Sequence, residues 1–128
     1  METYTISDDK RTLSIQGHSI SFRDDIETVL TFPDIWVVQL GNVRYKNGQP
    51  AINMPEQPIN NVYGVDKKCN IIWSIKEIAT LHIGSPPDEY YSGATKISDS
   101  AFRIYAFRGY SLSIDVNTLE VVNKKFVK

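Results

Sequence analysis

The side chains best able to do chemistry in this chain are two histidines and a single cysteine. His18 and His82 could act as general acid and base in a ribonuclease-like site, provided that the fold brings both into one cleft. Their positions do not indicate this, because His18 lies in a predicted hairpin turn and His82 follows a short apolar segment. Cys69 stands beside Lys67 and Lys68, which would lower the pKa of a nucleophilic thiol. It lies in a predicted turn without a neighbouring histidine, however, so we expect no cysteine nucleophile.

Motifs for nucleotide, acyl-transfer and metal chemistry are missing from the sequence. There is no Gly-x-Ser-x-Gly, no phosphate loop and no Gly-x-Gly-x-x-Gly. A lone cysteine cannot form an internal disulfide or a structural zinc site. The pairs Asp8-Asp9 and Asp24-Asp25 are not followed by the spaced acids of a calcium loop, and we expect them at solvated hairpin ends. The sequence therefore predicts a protein that is not an enzyme, with no catalytic residue, no metal ligand and no cofactor.

The segment that best fits a protein-binding surface is residues 86–91. Two prolines stiffen it, two acids give it negative charge, and two adjacent tyrosines offer rigid contact area. This composition predicts an interaction with a basic partner protein; the alternative is an ordinary loop with one tyrosine in the core. The residues expected to contact the partner are Asp88, Glu89, Tyr90 and Tyr91, followed by Asp24 and Asp25.

The overall charge of the chain is nearly balanced, with 14 Lys and Arg against 15 Asp and Glu. This balance argues against a protein that coats nucleic acid, which usually carries a basic excess. Tyr63, Phe102, Tyr105 and Tyr110 could form a stacking face for single-stranded nucleic acid, but they alternate with core positions, so we expect cross-strand packing instead. No apolar run is long enough to span a bilayer and the N-terminal residues lack a secretory signal, so we expect a cytoplasmic protein without membrane contacts.

The hydrophobic pattern that must position these residues alternates with period two along most of the chain, which is typical of half-buried strands. We expect about nine strands in mostly antiparallel sheets, one domain over residues 1–128, and little helix outside residues 76–83. Gly17-His18 predicts a hairpin turn, and residues 35–40, apolar on both faces, predict a central strand that ends at Gly41. The two predicted loops cover residues 42–60 and 84–100. The fold class is therefore all-β.

Two stretches of the sequence repeat one pattern. Residues 61–66 and 109–115 each form an aromatic-bearing strand that ends in an aspartate, followed by a turn and a strand that opens with paired β-branched residues. An apolar strand precedes each unit, at residues 35–40 and 102–107. The aspartate of each unit should cap its turn by accepting hydrogen bonds from the backbone just after it.

This repeat resembles the blade hairpin of PQQ-type β-propellers, whose outer strands read roughly Val-Tyr-Ala-Leu-Asp, then a turn with glycine, then a strand with Trp. Cys69 and Leu119 stand near the usual glycine, and Asn123 stands near the second Trp position, so the match is partial. A closed propeller needs at least four blades of about 40 residues each, more than this chain provides. The resemblance implies blade-like hairpins in a small sheet assembly and gives no ground for a quinone cofactor.

In size, composition and missing chemistry, the chain is similar to the immunity proteins of bacterial toxin systems, which neutralise a cognate toxin by covering its surface. This resemblance implies a non-enzymatic protein-binding function for a monomer or small oligomer, with a toxin such as a basic nuclease as its partner. A second hypothesis is a structural all-β protein that oligomerises through sheet edges at residues 1–6 and 119–127. The third is an RNA-processing enzyme that uses His18 and His82.

Overall fold

The computed structural model describes residues 4–41, 45–46, 49–50, 60–82, 91–106 and 110–126. Within these ranges, eleven strands form three sheets, two further strands of two residues each pair with one another, and one helix is present. The helix is α1 (Ile75–His82), and the strands are β1 (Tyr4–Ile6), β2 (Thr12–Ile15), β3 (His18–Ser21), β4 (Ile26–Thr31), β5 (Trp36–Leu40), β6 (Tyr45–Lys46), β7 (Gln49–Pro50), β8 (Val62–Val65), β9 (Ile71–Ser74), β10 (Tyr91–Ser98), β11 (Ala101–Ala106), β12 (Tyr110–Asp115) and β13 (Val121–Phe126).

The strands pair in the order in which they occur along the chain. Sheet 1 has the order β1-β2-β3, sheet 2 the order β4-β5-β8-β9, and sheet 3 the order β10-β11-β12-β13. Every neighbouring pair is antiparallel, because short connections join strands that lie side by side. The short strands β6 and β7 pair in the connection between β5 and β8. Sheets 2 and 3 are therefore both four-stranded meanders, and the prediction of an all-β fold is confirmed.

Sheet 2 lies between two hydrophobic clusters, one on each of its faces. Successive side chains of a strand point to opposite faces, and all five residues of β5 are buried. Trp36 and Val38 belong to a cluster that Leu13 and Ile15 of sheet 1 complete, whereas Val37 belongs to a cluster formed with β11 and β12 of sheet 3. The three sheets are therefore stacked in chain order, and sheet 2 is the central layer.

The two repeat units predicted from the sequence fold alike. Each supplies the third and fourth strands of a meander, β8 and β9 in sheet 2 and β12 and β13 in sheet 3. One carboxylate oxygen of Asp66 accepts two backbone N–H groups of its turn, both at 2.9 Å, and one of Asp115 accepts two at 2.8 and 3.0 Å. Later in the same turns, Cys69 and Leu119 both have φ of +63°, the left-handed region that favours glycine. The two antiparallel hairpins and their aspartate-capped turns are therefore present as expected.

The prediction of a loop over residues 84–100 is wrong for residues 91–98, where β10 pairs with β11. The sequence of β10, YSGATKIS, does not alternate apolar and polar residues, and all of its side chains after Tyr91 are half-buried or exposed. Two register shifts interrupt its pairing. The hairpin turn between β2 and β3, the central strand that ends before Gly41, and the helix lie where they were expected, although His18 is in β3 and not in the turn. No helix in the described part of the chain has the length and apolar character needed to cross a membrane.

Candidate functional site

An open groove of about 610 Å³ lies where sheet 1 meets one end of the β4–β5 hairpin. One wall is the chain that leaves β1, and the other is the start of β4 together with Gly41, the residue after β5. Three carboxylates and one ammonium group make up its charged lining, from Asp8, Asp25, Glu27 and Lys10. The groove is thus a concave surface with an excess of negative charge.

Backbone hydrogen bonds between distant parts of the chain hold the two walls together. The N–H of Ile26 donates to the carbonyl of Lys10 at 2.6 Å, and the N–H of Gly41 donates to the carbonyl of Asp25 at 3.0 Å. Lys10 closes a tight turn after β1 by donating its own N–H to the carbonyl of Ser7 at 2.9 Å. Its φ of +65° is uncommon for a residue with a side chain. These bonds bring acids from two segments of the chain, the turn after β1 and the start of β4, to one space.

The three acids of the groove differ in their surroundings. Asp25 forms an ion pair with Arg11, with Oδ1 3.2 Å from Nε. Glu27 accepts a hydrogen bond from Gln39 Nε2 at 2.9 Å, whereas Asp8 is exposed. An ionised carboxylate can accept hydrogen bonds but cannot donate them. The groove therefore suits a ligand that has positive charge and several N–H donors, and the pairing of Arg11 with Asp25 is an example of this contact within the chain.

Asp9 adds to the negative charge beside the groove. A hydrogen bond from the Ser7 hydroxyl, and a weaker effect of the hydrogen bond from the backbone N–H of Arg11, hold the pKa of the Asp9 carboxyl below its usual value. The side chain is exposed, so its negative charge faces solvent. A cationic partner that approaches this end of the molecule therefore meets an ionised acid before it reaches the groove.

Gly41 forms part of the groove surface, and a side chain there would have to displace the Glu27 carboxylate. A Cβ added at Gly41 would lie 1.5 Å from Glu27 Oε2, so the Glu27 carboxylate lies directly on the backbone. Gln39, fully buried behind it, also places its Nε2 3.2 Å from the carbonyl of Leu40 and 3.1 Å from that of Tyr91. Three acceptors around one nitrogen fix the orientation of this amide, and the amide in turn holds the Glu27 carboxylate in place.

Asn61 extends this buried polar network into the core. Its Oδ1 accepts the backbone N–H of Tyr91 at 3.0 Å, and its Nδ2 donates to the carbonyl of Tyr91 at 2.8 Å. The side chain thus pairs with the backbone of Tyr91 as a neighbouring strand would, which fixes the start of β10 against sheet 2. The ring of Tyr91 belongs to the cluster between sheets 2 and 3, and the residue is 1% exposed.

The structure separates the residues that were expected to contact a partner. Asp25 lines the groove. Asp24 is fully buried, with Oδ2 3.3 Å from Arg23 Nε, so it does not lie at a solvated hairpin end and its side chain is not presented to a partner. Tyr91 is likewise a core residue, and Asn61 holds its backbone in place. The expectation that its ring contacts a partner is therefore wrong as well. The remaining expected contacts, Asp88, Glu89 and Tyr90, lie outside the described residues.

Three of the four charged residues in the groove were not expected as site residues. Asp8 was noted only as part of an acidic pair, and neither Glu27 nor Lys10 belongs to a motif. Their proximity depends on the pairing of β4 with β5 and on the long-range backbone bonds at Ile26 and Gly41. No local pattern in the sequence carries that information.

The three residues considered above for nucleophilic or acid–base chemistry, His18, His82 and Cys69, lie on three different elements of the fold. His18 is exposed at the start of β3, and His82 is the last residue of α1. Cys69 is buried, and burial raises the pKa of its thiol, opposite to the effect expected from Lys67 and Lys68. Among the residues that the structure describes, no group of three or more His, Cys, Asp or Glu is placed to hold a metal ion.

Comparison with known proteins yields one match. Residues 3–126 match the family model described as a domain of unknown function, DUF7957. Neither the curated proteins nor the solved structures give a significant match to the chain. A function must therefore be inferred from the groove and from the sheet edges.

Proposed function

The chain belongs to the DUF7957 family, and we propose that it is a non-enzymatic protein-binding module, an immunity protein that binds and neutralises a cognate bacterial toxin. The observation that carries this proposal is the charged lining of the groove, with three carboxylates against one ammonium group. A toxin that acts on nucleic acid needs a basic surface to hold phosphates. The groove is complementary to such a surface in charge, and its concave shape is complementary to a projecting basic side chain.

Neutralisation would follow from covering the toxin's nucleic-acid surface, without any reaction. Exposed acids such as Asp8 and Asp9 would steer the basic partner toward the groove and speed association. Within the groove, the Glu27 carboxylate is already held in place by the buried Gln39 amide, so little ordering would be needed on binding.

The first experiment sequences the DNA directly upstream of the gene and, where a toxin domain is encoded there, pairs this protein with that domain. We expect the two purified proteins to bind, the toxin's activity to be lost in the complex, and the affinity to fall with salt. Asp8→Lys should lower the affinity by about tenfold or more, mainly through the association rate. Asp34→Lys is the matched control, because Asp34 is an exposed acid in the turn between β4 and β5, at the far end of that hairpin from the groove.

A second variant tests the held carboxylate without changing the charge. Gly41→Ala would force Glu27 away from its position over the backbone, and we expect weaker binding although every acid remains. Equal binding by the parent protein, Asp8→Lys and Gly41→Ala would exclude the groove as the toxin-binding surface. An upstream gene of unrelated metabolism, with no toxin domain, would contradict the immunity function itself.

The alternative of a homo-oligomeric structural protein has one supporting observation. β1 is an edge strand of sheet 1, and β13 is an edge strand of sheet 3. They lie within residues 1–6 and 119–127, where exposed sheet edges were expected. In β1, Tyr4 and Ile6 are each 37% exposed, which is apolar surface beside a strand edge that pairs with no strand among the described residues. Solution mass distinguishes the two proposals, because an immunity protein is expected as a monomer or small oligomer and a structural array as a larger assembly.

A further inference from the structure

The outer edge of β1 runs into the acidic groove. β1 stands at one end of the strand order of sheet 1, so its edge away from β2 pairs with no strand among the described residues. Ile6 is the last residue of β1, and it lines the groove together with Ser7 and Asp8. A segment of another protein that lay along this edge would therefore reach the groove at its end.

This edge of β1 offers backbone hydrogen-bonding groups to a further strand. The N–H of Ser7 donates to the carbonyl of Thr12, on the β2 side, at 3.0 Å. The backbone groups of successive residues in a strand point to opposite sides, so those of Thr5 also face β2. Those of Tyr4 and Ile6 face away from β2, and each of these residues presents one N–H and one carbonyl to an added strand.

The side chains of Tyr4 and Ile6 lie on the face of sheet 1 that packs against sheet 2. Tyr4 is paired with Ile15 of β2. Ile6 is paired with Leu13 in the same way, and paired residues of neighbouring strands point to the same face. Leu13 and Ile15 are buried in the cluster with sheet 2, and the ring centres of Tyr4 and Trp36 are 5.0 Å apart. Because Tyr4 and Ile6 are still partly exposed, this cluster is incompletely covered at the β1 edge.

We propose that the β1 edge binds an extended segment of the basic partner as a fourth strand of sheet 1, and that a basic side chain of this segment enters the acidic groove. The inference rests on the proposed function, since it names the part of the toxin that is recognised. Addition of a strand to a sheet edge is a general mode of recognition, in which main-chain hydrogen bonds give affinity and alternate side chains give specificity.

The geometry sets the order of residue types in the bound segment. In an antiparallel strand, as in the rest of sheet 1, the residues opposite Ile6 and Tyr4 are two positions apart and both face sheet 2. Apolar side chains there would cover the exposed part of the cluster. Two positions before the residue opposite Ile6, a side chain on the same face lies about 7 Å beyond the end of β1, at the groove. The segment therefore reads basic, polar, apolar, polar, apolar.

The groove favours a basic side chain at that position. Its charged lining has three carboxylates and one ammonium group. Asp25 accepts from Arg11 through Oδ1, and Glu27 accepts from Gln39 through Oε2. Each carboxylate has a second oxygen that can accept from the N–H groups of a guanidinium.

The test is an NMR titration of the whole protein with the peptide Ser-Arg-Thr-Val-Thr-Val-Ser, acetylated and amidated at its ends, which has this order of residue types. We expect saturable shifts in the amides of residues 4–8 and 25–27, with a Kd of about 1 mM or tighter. Absence of saturation at these amides up to about 10 mM would overturn the proposal. If the peptide binds but no toxin is encoded upstream, the edge is supported as a docking site and the immunity function alone is contradicted.

Modified peptides test the backbone pairing and the charge separately. N-methylation of the first valine removes the N–H directed at Ile6 and should weaken binding by about tenfold or more. N-methylation of the threonine between the valines removes an N–H directed away from β1 and should leave the Kd within about twofold. Equal effects of the two modifications would overturn strand addition. Replacement of the arginine by glutamate should weaken binding by about tenfold or more, and an unchanged Kd would overturn its placement in the groove.

A variant of the protein tests the edge in the toxin complex. Ile6→Glu should weaken toxin binding by about tenfold or more, because the apolar contact at the edge is lost although negative charge is added to the groove. Unchanged or tighter binding would overturn strand addition and leave the charged groove as the recognition surface. Ile97→Glu is the matched control, since Ile97 of β10 is 44% exposed and does not line the groove. The modified peptides keep the test valid if Ile6→Glu is poorly folded.

A second copy of this chain is the competing occupant of the edge. Pairing of β1 with β1 of another molecule would shift the amides of residues 4–6 as the protein concentration rises, without peptide, and would give the solution mass of a dimer. We expect these shifts to be independent of protein concentration. A concentration-dependent shift accompanied by a dimer mass would overturn the proposal in favour of self-association.

Discussion

Trp73 of β9 stacks on Phe102 of β11 across the contact between sheets 2 and 3, with ring centres 5.8 Å apart and planes within 6° of parallel. Gly64, paired with Trp73 in the neighbouring strand β8, makes room for the indole. A Cβ at Gly64 would lie 2.2 Å from Trp73 Cε2, far inside van der Waals contact. The absence of a side chain at Gly64 is therefore what allows this stacked pair to form.

Gly64→Ala should destabilise the protein by about 1–3 kcal/mol, the usual cost of overpacking a core. The added methyl group must push the indole off Phe102, so the near-ultraviolet circular dichroism of the aromatic groups should change as well. Urea unfolding measures the free energy. Gly93→Ala is the matched control, because a Cβ there meets only Tyr105 Cδ2 at an ordinary 3.8 Å, and its stability should stay within about 0.5 kcal/mol of the parent. Equal losses from both substitutions would show that the Gly64 site is not tightly packed.

Asn61→Ala should destabilise the protein by about 1–3 kcal/mol, because the buried hydrogen bonds of the Asn61 side chain with the backbone N–H and carbonyl of Tyr91 would be lost. The loss should be concentrated at the start of β10, so hydrogen exchange of the Tyr91 amide should speed up more than that of β5. Asn117→Ala, in the exposed turn after Asp115, is the control and should change stability by no more than about 0.5 kcal/mol. An unchanged Tyr91 amide in Asn61→Ala would contradict the anchoring role.

Cys69 occupies a glycine-like backbone conformation and also fills part of the core, so substitutions there should separate the two effects. Cys69→Val should cost about 1–2 kcal/mol, since a β-branched residue fits the left-handed region poorly. Cys69→Gly should stay within about 1 kcal/mol of the parent, because relief of backbone strain offsets the lost side-chain packing. Chemical denaturation of both variants tests this order. If glycine proves the more damaging substitution, packing of the thiol outweighs backbone strain.

The aspartates of the two turns should make the free energy of unfolding depend on pH in the acid range. The backbone N–H of Asn70 holds the pKa of Asp66 below its usual value of 3.8, and that of Thr118 does the same for Asp115. A depressed folded-state pKa contributes stability above the unfolded-state pKa of about 3.9, and the contribution is lost as the pH falls through the folded-state pKa. The parent should therefore exceed the double variant Asp66→Asn/Asp115→Asn in urea midpoint at pH 7, with a smaller gap at pH 3. A gap independent of pH would exclude charge as the source of the turn's stability.

Local patterns predicted the parts of this fold that local interactions determine. The turns after Asp66 and Asp115 could be foreseen because each aspartate bonds to the backbone two to four residues away. The central strand could be foreseen because a run that is apolar on both faces has to be buried on both. β10 could not be foreseen, because it is a strand through its pairing with β11 and its own side chains do not show a strand pattern.

Most residues of the candidate site could not be predicted from the sequence, because contacts between distant parts of the chain bring them together. The burial of Tyr91 depends on Asn61, 30 residues earlier in the chain. The placement of Glu27 depends on Gln39 and Gly41 in the next strand. Of the expected contact residues that the structure describes, Asp25 alone lies at the groove. The sequence indicated acidic side chains as the contact groups, and strand pairing decided which acids share one surface.

The position of sheet 2 in the middle of the stack has a consequence for how the molecule opens. Detaching sheet 1 exposes one face of sheet 2 and leaves the cluster with sheet 3 intact, whereas opening sheet 2 disrupts both clusters at once. Local unfolding should therefore begin at sheet 1, whose edge strand β1 is exposed along its length, and reach β5 last. The acidic groove, built between sheets 1 and 2, lies at this first boundary to open. A partner bound there would hold the two sheets together and slow amide exchange throughout sheet 1.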